Sequence, residues 1–226
     1  MPSDRPLPQL SDLDDDALAA AYAPPRAPWV RLNFVSTVDG AVTGTDGLSK
    51  SIQNDDDQRV FEALRALCDV IVVGAGTIRA EGYRPNAQHL VVVSRSGAVP
   101  ASLRQGSLEK VWMATGSSTP HLDETRDLLG ERLLVLGEDG PDLTRLTAEL
   151  TGRGFSDVLC EGGPTLARDL LAAGLVDELC LTVVPRLVAG EHLRVLDGAG
   201  LDLDLELAGI LEQGSTLLQR WFVRRS

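Results

Sequence analysis

At 226 residues and 43% hydrophobic content the chain is long enough to bury one large core. Its 4% aromatic share means that this core is built from Val, Leu, Ile and Ala, the small units that helices on a sheet use. A balance of 21 basic against 33 acidic residues gives a net charge of −12, which argues against general binding to nucleic acid or an anionic membrane. No apolar run reaches the roughly 20 residues of a membrane span, and Met1 to Leu10 has no secretory core, so a cytoplasmic protein is expected.

Residues 1–28 read as an arm, because Pro2, Pro6, Pro8, Pro24, Pro25 and Pro28 interrupt hydrogen bonding at both of its ends. Between them, Ser11 to Tyr22 is expected to be a short helix with Ser11 as N-cap and Asp12, Asp14, Asp15 and Asp16 near its positive end. That acidic cluster reads as a solvated helix start, not a metal site. The remaining domain, 29–226, opens with a strand at Val30 to Ser36, a bend through Asp39-Gly40 and a second extended piece at Ala41 to Thr43. The polar stretch Gly44 to Asn54 follows, and its length suits a loop over a site.

Asn54 or Asp55 caps the next predicted helix, which places Val60, Phe61, Leu64, Leu67 and Cys68 on one face. Strand Val70 to Val73 runs into Gly74-Ala75-Gly76-Thr77. Strand Leu90 to Val93 runs into Ser94-Arg95-Ser96. Then come strand Val111 to Ala114, helix His121 to Leu129, strand Leu133 to Leu136 and helix Leu143 to Leu150. The last such unit is strand Val158 to Cys160, a glycine turn, and a helix from Pro164 that Gly174 ends. This alternation predicts an α/β fold with a mostly parallel sheet flanked by helices. Glu178 to Val188, Leu203 to Gln213 and Thr216 to Arg224 are strand-like, and Gly214-Ser215 joins the last two as an antiparallel C-terminal hairpin. Cys68, Cys160 and Cys180 are odd in number, far apart and set in apolar segments, so they read as reduced core thiols.

Three places put glycines or hydroxyls at the C-terminal ends of strands, where open α/β sheets bind ligands: Gly74 to Thr77, Ser94 to Ser96 and Glu161 to Leu166. In the third, Gly162-Gly163 carries no side chains and Pro164 opens a helix, so free N–H groups and a helix dipole are offered to a phosphate. An Arg fork between two hydroxyls suits a phosphate monoester, such as the 2′-phosphate of NADP; a solvated turn is the plainer reading of Ser94-Arg95-Ser96. Gly-Ala-Gly-Thr alone is equally a simple turn. Asp57 either stabilises its helix end or looks into a cleft. Glu161, between a buried strand and two glycines, needs a ligand or a donor. Neither Gly-x-Ser-x-Gly nor a Walker loop is present.

In order, Ser36-Thr37-Val38-Asp39-Gly40, Phe61-Glu62-Ala63-Leu64-Arg65, Asp69-Val70-Ile71-Val72-Val73-Gly74-Ala75-Gly76-Thr77, Glu161-Gly162-Gly163-Pro164-Thr165-Leu166 and Gly174 to Leu179 resemble the C-terminal reductase domain of the bifunctional riboflavin biosynthesis deaminase-reductase, of the dihydrofolate reductase-like superfamily. The resemblance spans about residues 29–224 and implies a mixed sheet of about eight strands, NADPH as hydride donor and a homodimer. It also implies a cofactor site at Val35, Thr37, Gly74, Gly76, Thr77, Glu81, Ser94, Arg95, Ser96, Gly162, Gly163, Pro164, Thr165 and Leu166. Ser49, Arg65, Tyr83 and Arg84 are expected to hold the substrate, with Asp57 and Glu161 as the catalytic carboxylates. No metal is expected. The loop Glu81-Gly82-Tyr83-Arg84-Pro85 departs from the family's acidic pair followed by Pro, Leu and Arg, and Ser51 stands where an aromatic is usual. The expected activity is NADPH-dependent reduction of a ribosylaminopyrimidine. The alternatives are reduction of a dihydropterin, or a catalytically idle nucleotide-binding or regulatory protein on the same fold.

Overall fold

The computed structural model describes residues 7–85 and 87–224, so Pro2 and Pro6 lie outside the described residues. Nine strands form one sheet, where the resemblance implied about eight. Trp29–Thr37 (β1) is followed by helix Asp55–Leu67, which is α2 because the short helix Asp15–Tyr22 (α1) precedes β1. Then come Val70–Gly74 (β2), Ala75–Glu81 (α3), His89–Val93 (β3), Val111–Gly116 (β4), Leu122–Leu129 (α4), Leu133–Gly137 (β5), Leu143–Gly152 (α5), Asp157–Cys160 (β6), Pro164–Ala172 (α6), Glu178–Val184 (β7), Leu205–Gln213 (β8) and Thr216–Val223 (β9).

The spatial order is β5-β4-β3-β2-β6-β1-β7-β9-β8, parallel from β5 through β7, with β9 antiparallel to both of its neighbours. From β1 the chain crosses to β2, steps outward to β5, and returns through α5 to fill the gap between β1 and β2 with β6. It then continues through α6 to β7, on the far side of β1. Progression reverses about β6, and at such a switch point the loops beyond the strands diverge to leave a crevice.

Both faces are covered. Val60, Leu64, Ile71, Val73 and Ile78 pack with α1 on one side. Leu32, Phe34, Val72, Leu146, Leu166 and Leu170 pack with α5 and α6 on the other. Continuous burial along β2 and β6 explains their unbroken apolar runs. The turn at Gly214-Ser215 has φ of 55° and 69°, the doubly positive geometry that matches the twist of a two-residue hairpin.

Several expectations are corrected. The first helix starts at Asp15, not Ser11, because the Asp14 carboxylate accepts from Ala17 N and forms the cap. The segment ahead of β1 is not outside the core, since Leu10, Leu18 and Tyr22 are buried within it. Ala41 to Thr43 is no strand. It closes a turn in which Thr37 N donates to Ala41 O, while Val42 N donates to Leu193 O. Gly74 to Thr77 is not a bare turn, because a seven-residue helix begins at Ala75; so short an element shows no periodicity in a sequence. β7 ends at Val184, four residues early, and 185–204 is a long connection. The three cysteines are free and buried, as expected.

Candidate active site

A cavity of about 1160 Å³ opens at the C-terminal ends of β1, β2, β3 and β6. One wall is made of backbone. Gly74 N donates to Gly162 O at 2.9 Å, which ties the end of β2 to the turn after β6. Gly162 has φ of 106°, a region that side chains rarely enter, and a Cβ on Gly163 would lie 2.6 Å from Thr77 Oγ1. Gly162 is therefore required by its backbone geometry, while a side chain at Gly163 would have to displace Thr77. Gly163 caps α6 without a side-chain hydrogen bond and Pro164 occupies its first turn, so the N–H groups of Thr165 and Leu166 remain open to the cavity.

Beside this wall, Ser94 Oγ accepts from Gly97 N at 3.0 Å and lies 3.3 Å from Ser96 Oγ, folding the turn tightly after β3. Arg95 is exposed at the rim, its stem against Gly140, and its guanidinium makes no hydrogen bond or ion pair among the described residues. Val35, Gly76 and Thr77 also line the cavity.

The opposite wall is made of side chains on α2 and of Gln53 just before it. Gln53, Asp57, Phe61 and Arg65 recur every four residues and all face the cavity. Phe61 therefore does not join the core face as expected. It lies beneath Arg65, whose guanidinium sits 4.2 Å from the ring centroid. Asp57 is 3% exposed and accepts from Gln53 Nε2 at 2.9 Å. Burial raises its carboxyl above the usual range, and hydrogen bonds from Thr182 and Gln53 only partly counter this.

Glu161, at the end of β6, receives Arg65 Nε on Oε1 at 2.6 Å and Arg65 Nη2 on Oε2 at 2.7 Å. Tyr83 Oη donates to the same Oε2 at 2.8 Å. Burial first, and then the Glu161 charge, push the Tyr83 hydroxyl well up, so it stays a donor. Ser49 and Arg84 line the cavity, joined by Lys50 and Arg79.

Two expected cofactor residues sit differently. Thr37 lies outside the cavity, because its hydroxyl donates to Asp39, whose carboxylate in turn accepts from the Val188 and Ala189 N–H groups. Glu81 lines the cavity, but its carboxylate accepts from Ser49 N at 2.8 Å and so holds the 44–54 loop. Missed by sequence reading were Gln53 and Phe61, for which the four-residue spacing is the available signal, and Leu193 and Asp197 on the 185–204 connection, for which there is none.

Fold and cleft together define an α/β domain of dihydrofolate reductase-like architecture: a dihydrofolate reductase from Enterococcus faecalis, complexed with NADP(H), superposes with a TM-score of 0.51 at 10% identity, covering 88% of this chain and 98% of that one. A pyrimidine reductase-like protein from Corynebacterium diphtheriae superposes with a TM-score of 0.77 at 22% identity, over 88% of this chain and 93% of its own. Residues 28–218 match the family model described as the RibD C-terminal domain, and the chain belongs to that family. It is 30% identical over 214 residues to the 2,5-diamino-6-ribosylamino-4(3H)-pyrimidinone 5′-phosphate reductase of Methanothermobacter thermautotrophicus, covering 87% of this chain and 99% of the relative.

Proposed function

We propose that the protein is an NADPH-dependent reductase of a phosphoribosylaminopyrimidine in the riboflavin pathway. The observation that carries this reading is one cavity with two unlike walls, a side-chain-free turn beside an unpaired arginine and a row of substrate-sized polar side chains opposite. The first wall fits a dinucleotide. Gly162 to Leu166 would hold its pyrophosphate with N–H groups and the α6 dipole, and Ser94 to Ser96 would hold the 2′-phosphate, with Arg95 as the charged fork. Gly74, Gly76, Thr77 and Val35 would shape the space between. A match over 87% of this chain to a named reductase supports the same reading.

When bound, NADPH supplies the hydride. The chain itself orients and protonates. The Asp57 carboxyl, raised by burial, holds a proton more readily than an exposed carboxyl and could pass it to the exocyclic nitrogen whose ribosyl carbon takes the hydride. Arg65, Tyr83 and Glu161 fix the other edge of the heterocycle, while Lys50, Arg79 and Arg84, exposed and without ion pairs among the described residues, suit the substrate phosphate. Glu81 acts through Ser49, keeping the 44–54 loop over the site.

Calorimetric titration with NADPH and NADH tests the cofactor. Tight NADPH and weak NADH binding is expected, and Arg95→Ala should cost about 1.5 to 3 kcal/mol on NADPH alone; equal or absent binding removes the assignment. A second reading, dihydropterin reduction, is favoured by the buried Asp57 carboxyl alone. Assays of the unmodified protein on both substrates separate the two: turnover of the ribosylaminopyrimidine alone is expected, and turnover of dihydropterin alone would carry the second reading. The homodimer is supported by Leu203, Leu205 and Leu207, which are 38%, 40% and 50% exposed on and before the outer strand β8; sedimentation should give twice the chain mass.

A further inference from the structure

The Asp57 carboxyl is held by a residue outside its own helix. Gln53 stands just before the Asn54 cap of α2, and its Nε2 donates to Asp57 Oδ2 at 2.9 Å. Both residues line the cavity. Thr182, on β7, is the second side-chain donor to the same carboxyl.

Gln53 is fixed from both sides. Its N–H donates to Ser49 O at 3.1 Å, behind the single 3-10 turn Ser49–Ser51. That turn is gripped by Glu81, which accepts from Ser49 N, and by Arg186, whose Nη1 donates to Ser51 O at 2.6 Å. On the helix side, Asn54 Oδ1 accepts from Asp57 N at 3.0 Å and Asn54 Nδ2 donates to Thr216 Oγ1 at 2.7 Å, which fastens the start of α2 to β9. With the backbone on either side ordered, placing the glutamine on Asp57 costs little beyond its rotamer freedom.

Resting on the proposed reductase reading, we infer that Gln53 is a positioning residue for proton transfer: it fixes the Asp57 carboxyl at the cavity wall and ties that orientation to the 44–54 loop over the site. A donor to a carboxyl favours the ionised form, because hydrogen bonds to a charge are the stronger ones. Gln53 therefore opposes burial, which lifts Asp57. Without it the carboxyl keeps its proton more firmly and is free to turn. The other charges near Asp57 are Asp55 and Asp56 in the same first turn, Lys50 on the loop, Glu81, and the bonded pair Arg65 and Glu161; β7 faces it with neutral Thr182. None of them moves Asp57 as burial and its two donors do.

The test is the pH profile of kcat for reduction of the ribosylaminopyrimidine with NADPH, by the unmodified full chain and by Gln53→Met and Gln53→Glu. An acid that must carry its proton gives a rate that falls as pH rises through its titration. Gln53→Met keeps the side-chain length and removes the donor, so the fall should move to higher pH by roughly half a unit or more. On the low-pH plateau kcat should drop roughly tenfold while KM changes less than about threefold, as expected when orientation and not binding is lost. Gln53→Glu keeps the shape and adds a second carboxyl; two carboxyls sharing one proton hold it longer, so the fall should move higher still. NADPH affinity within about twofold of the unmodified protein shows that a variant is folded, and if methionine disturbs the packing, glutamate reads the same limb. A fall that neither substitution moves, or that moves to lower pH, overturns the inference and leaves the reductase reading standing. A fall that persists in Asp57→Asn also overturns it, because the titrating group is then another. Absence of ribosylaminopyrimidine turnover by the unmodified protein overturns both.

Discussion

Two buried glutamates lie at opposite ends of the same sheet. Glu161 follows β6 at the cavity end, while Glu178 opens β7 at the far end and is fully buried. Glu178 accepts from Trp29 Nε1 at 2.6 Å and Arg220 Nε at 2.6 Å, with Arg31 Nη2 at 3.6 Å. Both carboxylates thus meet an arginine and an aromatic donor. The arginines differ in what else they do. Arg220 and Arg31 donate to the carbonyls of Ala21, Ala23 and Tyr22, pinning the segment before β1 onto the sheet. Arg65 instead keeps one nitrogen open to a cavity. A buried ion pair by itself marks neither stability nor function; what separates these two is whether a donor remains for a ligand.

Truncation should split the pair most widely. Glu178→Ala leaves two buried guanidinium groups without their carboxylate and should cost about 3 to 5 kcal/mol in urea unfolding. Glu161→Ala should cost only about 1 to 2 kcal/mol, because Arg65 can turn to water, yet lower kcat/KM roughly 100-fold through lost substrate positioning. Equal stability losses would dissolve the contrast.

A smaller effect is expected from the backbone wall. In Gly163→Ala the new methyl meets Thr77 Oγ1 at 2.6 Å, and a short side chain can rotate away. Unfolding should change by about 1 kcal/mol, while NADPH binding weakens roughly tenfold as the turn and Thr77 move together, about 1.4 kcal/mol. Gly116→Ala, whose methyl would meet the Glu138 carbonyl oxygen at 2.1 Å, is the control: backbone cannot rotate away, so stability and not binding should fall.

The backbone wall was also the legible one. Gly162 to Leu166 and Ser94 to Ser96 are contiguous, and a strand followed by glycine and a helix start announces itself locally. The spacing of Asp57, Phe61 and Arg65 is equally readable as one helix face, but amphipathicity does not say which face meets the cavity, and an apolar Phe61 reads as core. Tyr83 and Glu161 are 78 residues apart, and nothing local couples them. Burial of Leu10, Leu18 and Tyr22 depends on Arg31 and Arg220 capturing carbonyls of the arm, a tertiary event hidden behind prolines that locally argue for an exposed segment.

The far end also holds a carboxylate that no donor satisfies, and its titration gives the finest version of the contrast. Asp157 begins β6, is 8% exposed, and has no partner on Oδ1 among the described residues. Burial lifts its carboxyl to about 6, Arg31 draws it down, and Asp69 and Glu178 push it up. The unfolded chain releases this proton near pH 4. Between those values the folded state holds more protons, so this group's contribution to stability is greatest at low pH and is lost as pH rises through about 6. Asp157→Asn should therefore remove that slope and stabilise the protein at pH 8. The gain should be modest, about 1 kcal/mol, because Arg31 gives up a neighbouring charge while its own Nε and Nη1 stay unpartnered. Urea unfolding of both proteins at pH 5 and pH 8, taken as a difference so that other carboxylates cancel, measures it. Asp57 is lifted by burial as well, but it faces the cavity; its titration should appear in the pH profile of turnover. A stability difference for Asp157→Asn that does not change between the two pH values would mean that the sealed end is not dry, and that the two ends differ less than their geometry implies.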